Sequence, residues 1–505
     1  MNQLKAGAAL NYVVIILNML VGLLYTPYML RMMGQSEYGL YSLVASVISY
    51  LTVLDLGLGN AIVRYTAKFR AEGKTTEQYE MFGMFLVLYI IIGVIAFAAG
   101  LGLYFNVDTL FGATMTVEEL DKARIMMLFL IFNLAVTFPM SIFGSIITAY
   151  ERFVFPKVVN IIRVILNTVI MICLLEMGYK AVAMVILQTV FNLLTLVINF
   201  FYCKYKLQIK IFFRNFQWDF LKEVAMYSFW IFLNVIMDRI YWSTGQFVLG
   251  AFVGTAAVAV FAVAIQLEHI YMQFSTAIAG VFLPKVTSMV ARNDNRKEMS
   301  DLFIRTGRIQ YIVIAMILTG FIVFGRDFIN LWAGTDYDSA YVITLLFFVS
   351  LSVSMIQNLG ITILQARNQM KFRSLLYIGI AVFSLVFQII LAKKYGGLGC
   401  AISIAGALLL GQGLIMNIYY HKKQGLDIWR FWREILKMSI VPIVLGVCAI
   451  VLTRNVVLDS WFALGAAIAV FLLVYIPLFF CFSMNQSERD LFVKPIKSII
   501  RKVKQ

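Results

Sequence analysis

Long apolar runs recur along the whole chain, and each is long enough to cross a hydrocarbon core about 30 Å thick as a helix. Backbone groups inside a bilayer must be satisfied within the segment, so such runs fold as spanning helices. The chain is 62% hydrophobic and 13% charged, where a soluble domain carries about a quarter charged residues. These features predict an all-α integral membrane protein.

Fourteen spans are expected, over residues 8–30, 39–63, 81–105, 123–149, 158–177, 181–203, 223–250, 255–284, 309–332, 341–365, 374–394, 396–420, 435–453 and 461–483. The first run, from about Leu10 to Leu30, is too long for a secretory core and lacks a small-x-small cleavage site, so it is expected to stay in place. With a cytoplasmic N-terminus, the inside segments hold 31 of the 42 Lys and Arg, against 6 outside. That asymmetry places both termini in the cytoplasm. It also accounts for the net charge of +16 through topology and attraction to anionic lipid, with no need for nucleic acid. The 5 cysteines show neither disulfide-framework nor zinc-ligand spacing and read as packing residues.

The heaviest inside loops flank spans seven and eight, which suggests six spans over 1–222, six over 223–434, and two more with a basic cytoplasmic tail over 435–505. A weak echo supports the repeat. Gly34 stands seven residues before Tyr41, and Gly254 seven before Phe261; in both halves the helix that follows ends in a basic loop. Two parallel bundles with a site between them is a recurring transporter layout.

Ionisable groups at membrane depth are costly and normally face an interior or a wet cavity. Asp55 lies nine residues before Arg64, about 14 Å along a continuous helix. Asp238 and Arg239 are deep in span seven, and Glu268 and His269 in span eight. Asn160, Arg163 and Asn167 form one helical stripe in span five; Gln188, Asn192, Thr195 and Asn199 form another in span six. Asn11, Asn18, Gly22 and Tyr25 share a face of span one. Each has a plainer reading beside the functional one. Amide stripes also hold bundles together by interhelical hydrogen bonds. Asp55 could pair structurally with Arg163, and Asp238 or Arg239 with a neighbouring helix. Glu268 and His269 suit either proton handling or packing, and Arg64 at a span end suits headgroup snorkelling.

No P-loop, HExxH, CxxC or GxSxG element is present, so neither ATP hydrolysis nor these hydrolytic chemistries are indicated. No catalytic residue and no metal ligand is assigned. The outside loops are too short to carry an enzyme domain, and the expected activity is secondary transport.

The stretch "MGQSEYGLYSLVASVISYLTVLDLGLGNAIVRYTAKF" resembles the start of bacterial polysaccharide exporters, the O-antigen-type flippases of the multidrug/oligosaccharidyl-lipid/polysaccharide (MOP) exporter superfamily. The residues that carry this are Gly34, Tyr38, Gly39 and Tyr41, then Asp55, Leu56, Gly57, Leu58, Asn60 and Arg64. "LGAFVGTAAVAVFAVA" looks like the matching opening of their second half. The resemblance implies a MATE-like plan of two six-helix lobes around a central cavity, plus two C-terminal helices. It also implies an undecaprenyl-pyrophosphate-linked oligosaccharide moved from the inner to the outer leaflet of the cytoplasmic membrane for surface polysaccharide assembly. Membrane lipids and polysaccharide polymerase or assembly proteins would be its partners. On that reading Arg64, Arg163 and Arg239 are candidates for the pyrophosphate, with Asn160, Asn167 and Asn192 lining the cavity. Asp55, Asp238, Glu268 and His269 are candidates for charge balance or ion coupling. No cofactor is expected beyond an H⁺ or Na⁺ gradient or the membrane potential. The alternatives are a cation-coupled multidrug exporter of the same superfamily, with twelve spans and an acid-rich cavity, and a non-transporting membrane scaffold of a polysaccharide synthase.

Overall fold

A computed structural model describes residues 3–214, 218–279, 286, 288–290, 295–367, 369–454, 456, 458–491 and 493, all helix, turn or irregular chain with no strand among them. Residues 285, 287 and 291–294 of the expected basic loop 285–308, the end of span eight and most of the basic tail lie outside the described residues. Eleven described helices are long and apolar enough to cross a membrane, twelve if the bent pair Ala340–Ile356 and Asn358–Ala366 counts as one span. The fourteen expected segments fall on helices where they are described, but span seven, on Trp218–Trp242 and Thr244–Phe252, is not among those eleven, and the rest of the difference comes from how breaks are counted. Spans eleven and twelve fall within Met370–Lys422, 53 residues long, but Gly396 adopts φ 55 and ψ −136 inside it. A Cβ on Gly399 would lie 2.2 Å from the Leu391 carbonyl oxygen, whereas in a straight helix these residues stand about 12 Å apart. The chain therefore turns back on itself at Gly396, where a side chain would oppose the positive φ, and the close approach of the two arms falls at Gly399.

The chain forms two compact units: Met1–Ala262 with Leu385–Cys400, and Val263–Ser384 with Ala401–Gln505. In the first, α1 (Gln3–Met33) packs on α7 (Val154–Glu176). α6 (Val117–Ala149) is the central helix, against α4 (Thr75–Phe105) and α8 (Ala181–Phe201). Its start is fixed by a capping box, in which Thr116 and Glu119 answer each other's free amides.

The second span is not the continuous helix that its hydropathy predicts. α2 (Gln35–Leu51) passes through a 3₁₀ turn, Thr52–Asp55, before α3 (Leu58–Ala71) begins. Leu56 and Gly57 between them are left-handed, with φ of 52 and 72. The break lies beside Asp55, whose carboxylate is close to the Gly57 amide; a short acidic side chain there favours an Asx-type turn over the helical ladder.

The echo between the halves has a structural counterpart. Gly34 and Gly254 both have positive φ, and each immediately precedes a helix, α2 and α11 (Thr255–Ala279). The two segments also meet, because a Cβ on Gly39 would fall 1.9 Å from the Thr255 carbonyl oxygen.

In the second unit, α12 (Arg296–Trp332) packs on α13 (Ala340–Ile356), α17 (Ile428–Thr453) and α18 (Trp461–Phe482). It starts thirteen residues before the expected span, in a stretch whose polarity reads as loop. Asn295 caps it by accepting the Lys297 amide, and Met299, Leu302, Phe303 and Ile304 bury one face. Phe324, Met438, Phe471, Tyr475 and Phe479 form a core that joins the two C-terminal helices to α12.

Candidate functional site

Within the first unit, α1, α6, α7 and α8 line a half-open cavity of about 470 Å³, within the usual size of a small-molecule site. Its lining joins Asn18 and Tyr25, Asn133, Arg163 and Asn167, and Gln188 and Asn192, with Phe191 among the apolar walls. Side-chain stripes on four separate helices therefore converge on one space. Arg163 sits nine residues into α7, about 14 Å along the helix, so the cavity is at membrane depth.

The hydrogen bonding of the cavity is incomplete. Asn192 Nδ2 donates to Asn133 Oδ1 at 2.7 Å and to Thr137 Oγ1 at 2.8 Å. Gln188 Nε2 donates to the Tyr41 hydroxyl at 2.9 Å. Arg163 Nη2 donates to Asn160 Oδ1 at 3.0 Å, and among the described residues its guanidinium has no carboxylate partner. A guanidinium carries five N–H donors, so most of its capacity is unused. The Tyr25 hydroxyl and Asn167 Oδ1 are buried with no partner among the described residues. Buried polar groups are nearly always satisfied, so this cavity is built for water or for a polar ligand. Its cation and its amide donors and acceptors suit an anionic or polyhydroxylated molecule.

Asn160, Arg163, Asn167 and Asn192 are thus brought together. Arg64 is elsewhere: it is exposed on α3, its guanidinium 5.8 Å from the Tyr65 ring centre. Arg239 is half-buried near the end of α9 (Trp218–Trp242), and the neighbouring Asp238 is exposed. Asp55 pairs not with Arg163 but with the Tyr89 hydroxyl, at 3.0 Å. In the second unit Glu268 is fully buried, with His269 Nδ1 3.2 Å from its Oε2.

Asn133 and Thr137 escaped the sequence reading. They stand one helical turn apart in an otherwise apolar stretch of span four, a pair of the kind that marked spans five and six. Arg308 also escaped it. Its position at the end of a basic stretch reads as loop, yet the residue is buried between Glu434 and Glu488.

Solved structures share this fold. The lipid II flippase MurJ in an inward-closed conformation matches with a TM-score of 0.69 at 17% identity, covering 97% of this chain and 99% of that one. An inward-facing multidrug resistance MATE family transporter of the MOP superfamily matches with a TM-score of 0.64 at 15% identity, covering 82% and 99%. These likenesses define the fold: an all-helical chain with many apolar spans, folded as the MurJ and MATE structures are. The polysaccharide biosynthesis protein family matches residues 4–290, more than half of the chain, and the protein belongs to that family. It is also 20% identical over 492 residues, 96% of each chain, to the uncharacterized membrane protein EpsK of Bacillus subtilis (strain 168).

Proposed function

We propose that the protein is a flippase that moves an undecaprenyl-pyrophosphate-linked oligosaccharide from the inner to the outer leaflet of the bacterial cytoplasmic membrane, with both termini in the cytoplasm. The observation that carries this is Arg163, a guanidinium without a carboxylate partner among the described residues, in an amide-lined cavity at membrane depth. Family membership in polysaccharide biosynthesis supplies the substrate class, and likeness to a lipid II flippase supports the mode of action. Arg163 binds anionic oxygens of the head group, and a guanidinium can do so through two parallel hydrogen bonds. Asn18, Asn133, Asn167, Asn192 and Gln188 exchange hydrogen bonds with sugar hydroxyls, and Phe191 offers an apolar face. The site opens alternately to the two leaflets, driven by an H⁺ or Na⁺ gradient or by the membrane potential. Asp55, Asp238, Glu268 and His269 remain the coupling candidates, and Arg64 and Arg239 would guide the pyrophosphate outside this cavity. Polysaccharide polymerase or assembly proteins would receive the product.

The cavity lining contains no carboxylate among the described residues, which disfavours small cationic drugs as cargo. The test is leaflet accessibility of a fluorescent lipid-linked oligosaccharide in proteoliposomes. Wild type should flip it, and Arg163→Ala, correctly inserted, should lose at least tenfold in rate. Efflux of cationic dyes without glycolipid transport would move the reading to a drug exporter. Unchanged flipping by Arg163→Ala would remove this cavity from the mechanism.

A further inference from the structure

The first unit carries a second concavity of different chemistry. An apolar groove of about 360 Å³ runs between α3, α4 and α9, walled by Leu56, Leu58, Leu88, Ile92, Val224 and Phe232. Ile91 and Phe229, each about half exposed, form its rim. On α9 the lining runs from Leu221 to Phe232, about 16 Å of helix, which is close to half of a hydrocarbon core roughly 30 Å thick. The groove is therefore one leaflet deep.

Its shallow end lies where the chain is basic, on the side that the Lys and Arg asymmetry places in the cytoplasm. Lys222 is exposed there. Upstream, Lys204, Lys206, Lys210 and Arg214 are also exposed. This stretch is tied to the start of α4, since the Phe212 amide donates to the Tyr79 carbonyl at 3.1 Å and the two rings pack edge to face. Tyr65 and Glu223, hydrogen-bonded at 2.9 Å, hold α3 to α9 beside the mouth. Inside the groove, Ser228 is 2% exposed, and its hydroxyl has no partner among the described residues. Leu56, the left-handed residue of the helix break, forms part of the wall.

We propose that this groove is a binding site for one acyl chain of an anionic phospholipid of the cytoplasmic leaflet. Depth and charge select this occupant. A wall one leaflet deep and without charges matches a single acyl chain, whereas a polyisoprenoid several times longer would overrun it. At the shallow end the exposed Lys204, Lys206, Lys210, Arg214 and Lys222 outnumber the exposed Asp219 and Glu223, and that cationic excess complements an anionic head group. A chain lying against Leu56 also packs on the break between α2 and α3, so occupancy favours the bent form of that span.

The test uses the full chain in lipid nanodiscs that contain a phosphatidylglycerol with a photoactivatable diazirine in its acyl chain. Peptide mapping should find labelling concentrated on Ile91, Val224 and Phe229. Val224→Trp, which fills the groove, should lower that labelling at least fivefold while leaving labelling of α18 unchanged. Ile91→Trp at the half-exposed rim gives the same readout should Val224→Trp not fold. Lys222→Gln combined with Lys210→Gln should lower it severalfold, and the matching phosphatidylcholine probe should label the groove severalfold less. Label spread evenly over the lipid-facing helices, equal labelling by both probes, or displacement by equimolar polyprenyl phosphate would each overturn the assignment. None of these outcomes depends on whether the protein flips a glycolipid.

Discussion

Arg308 grips Glu488 through two parallel hydrogen bonds, Nε to Oε1 at 2.6 Å and Nη2 to Oε2 at 2.9 Å. Its remaining arm reaches Glu434 Oε2 at 2.8 Å. The Arg308 side chain is 7% exposed and that of Glu488 is 1% exposed. The Asn485 amide donates to Glu488 Oε2 at 2.9 Å, so the carboxylate is saturated. One cation thereby fastens the ends of α17 and α18 to α12.

Removing one partner from such a pair leaves a buried charge uncompensated, at a cost of about 3–5 kcal/mol. Arg308→Ala is therefore expected to lower the melting temperature in detergent markedly. Glu434→Gln, at the more exposed contact, should cost much less. Arg308→Lys cannot reproduce the two-pronged pairing and should fall between the two. Thermal unfolding followed by tryptophan fluorescence provides the comparison.

Arg163 differs in kind from Arg308, because it makes one hydrogen bond to Asn160 and no ion pair among the described residues. Replacing it should leave stability within about 1 kcal/mol, since a single hydrogen bond contributes about that much. Transport should collapse nevertheless. Arg163→Lys keeps the charge but loses the planar fork, and intermediate flipping is expected. A melting curve beside the proteoliposome assay separates the two effects.

The role of Asp55 can be divided between scaffold and coupling. Asp55→Asn keeps an oxygen for the Gly57 amide and the Tyr89 hydroxyl, so the helix break should survive with little change in melting temperature. Asp55→Ala removes the acceptor and leaves a buried donor unanswered, a loss of about 1–3 kcal/mol. If Asp55 carries a coupling ion, Asp55→Asn should flip substrate without responding to an imposed ion gradient. A normal gradient response in that variant would confine Asp55 to the scaffold.

Gly39 is held against backbone rather than against a movable side chain. Gly39→Ala should therefore force the starts of α2 and α11 apart, with a loss of several kcal/mol of the kind that overpacking produces. A Cβ on Gly34 would meet no neighbour within 4 Å, so Gly34→Ala should show only the backbone strain of a positive φ, about 1–2 kcal/mol. Size-exclusion profiles and melting temperatures of the two variants test the difference.

The sequence alone determined the all-helical membrane class, the approximate course of every described span and the polar stripes on spans one, five and six. These are local properties: hydropathy over about 20 residues marks a span, and a 3.6-residue period marks a face. It could not determine which faces meet. Lipid and the interior of a bundle are both apolar, so a membrane helix shows little contrast between its two sides, and the decisive polar contacts join residues far apart in sequence. Asn192 meets Asn133 across 59 positions, and Arg308 meets Glu488 across 180. Only the folded chain could show that Arg163 faces amides instead of Asp55, that Arg64 stands outside that cavity, and that Asp55 serves a break in its helix. Those outcomes depend on which helices pack together, and helix packing is a tertiary property.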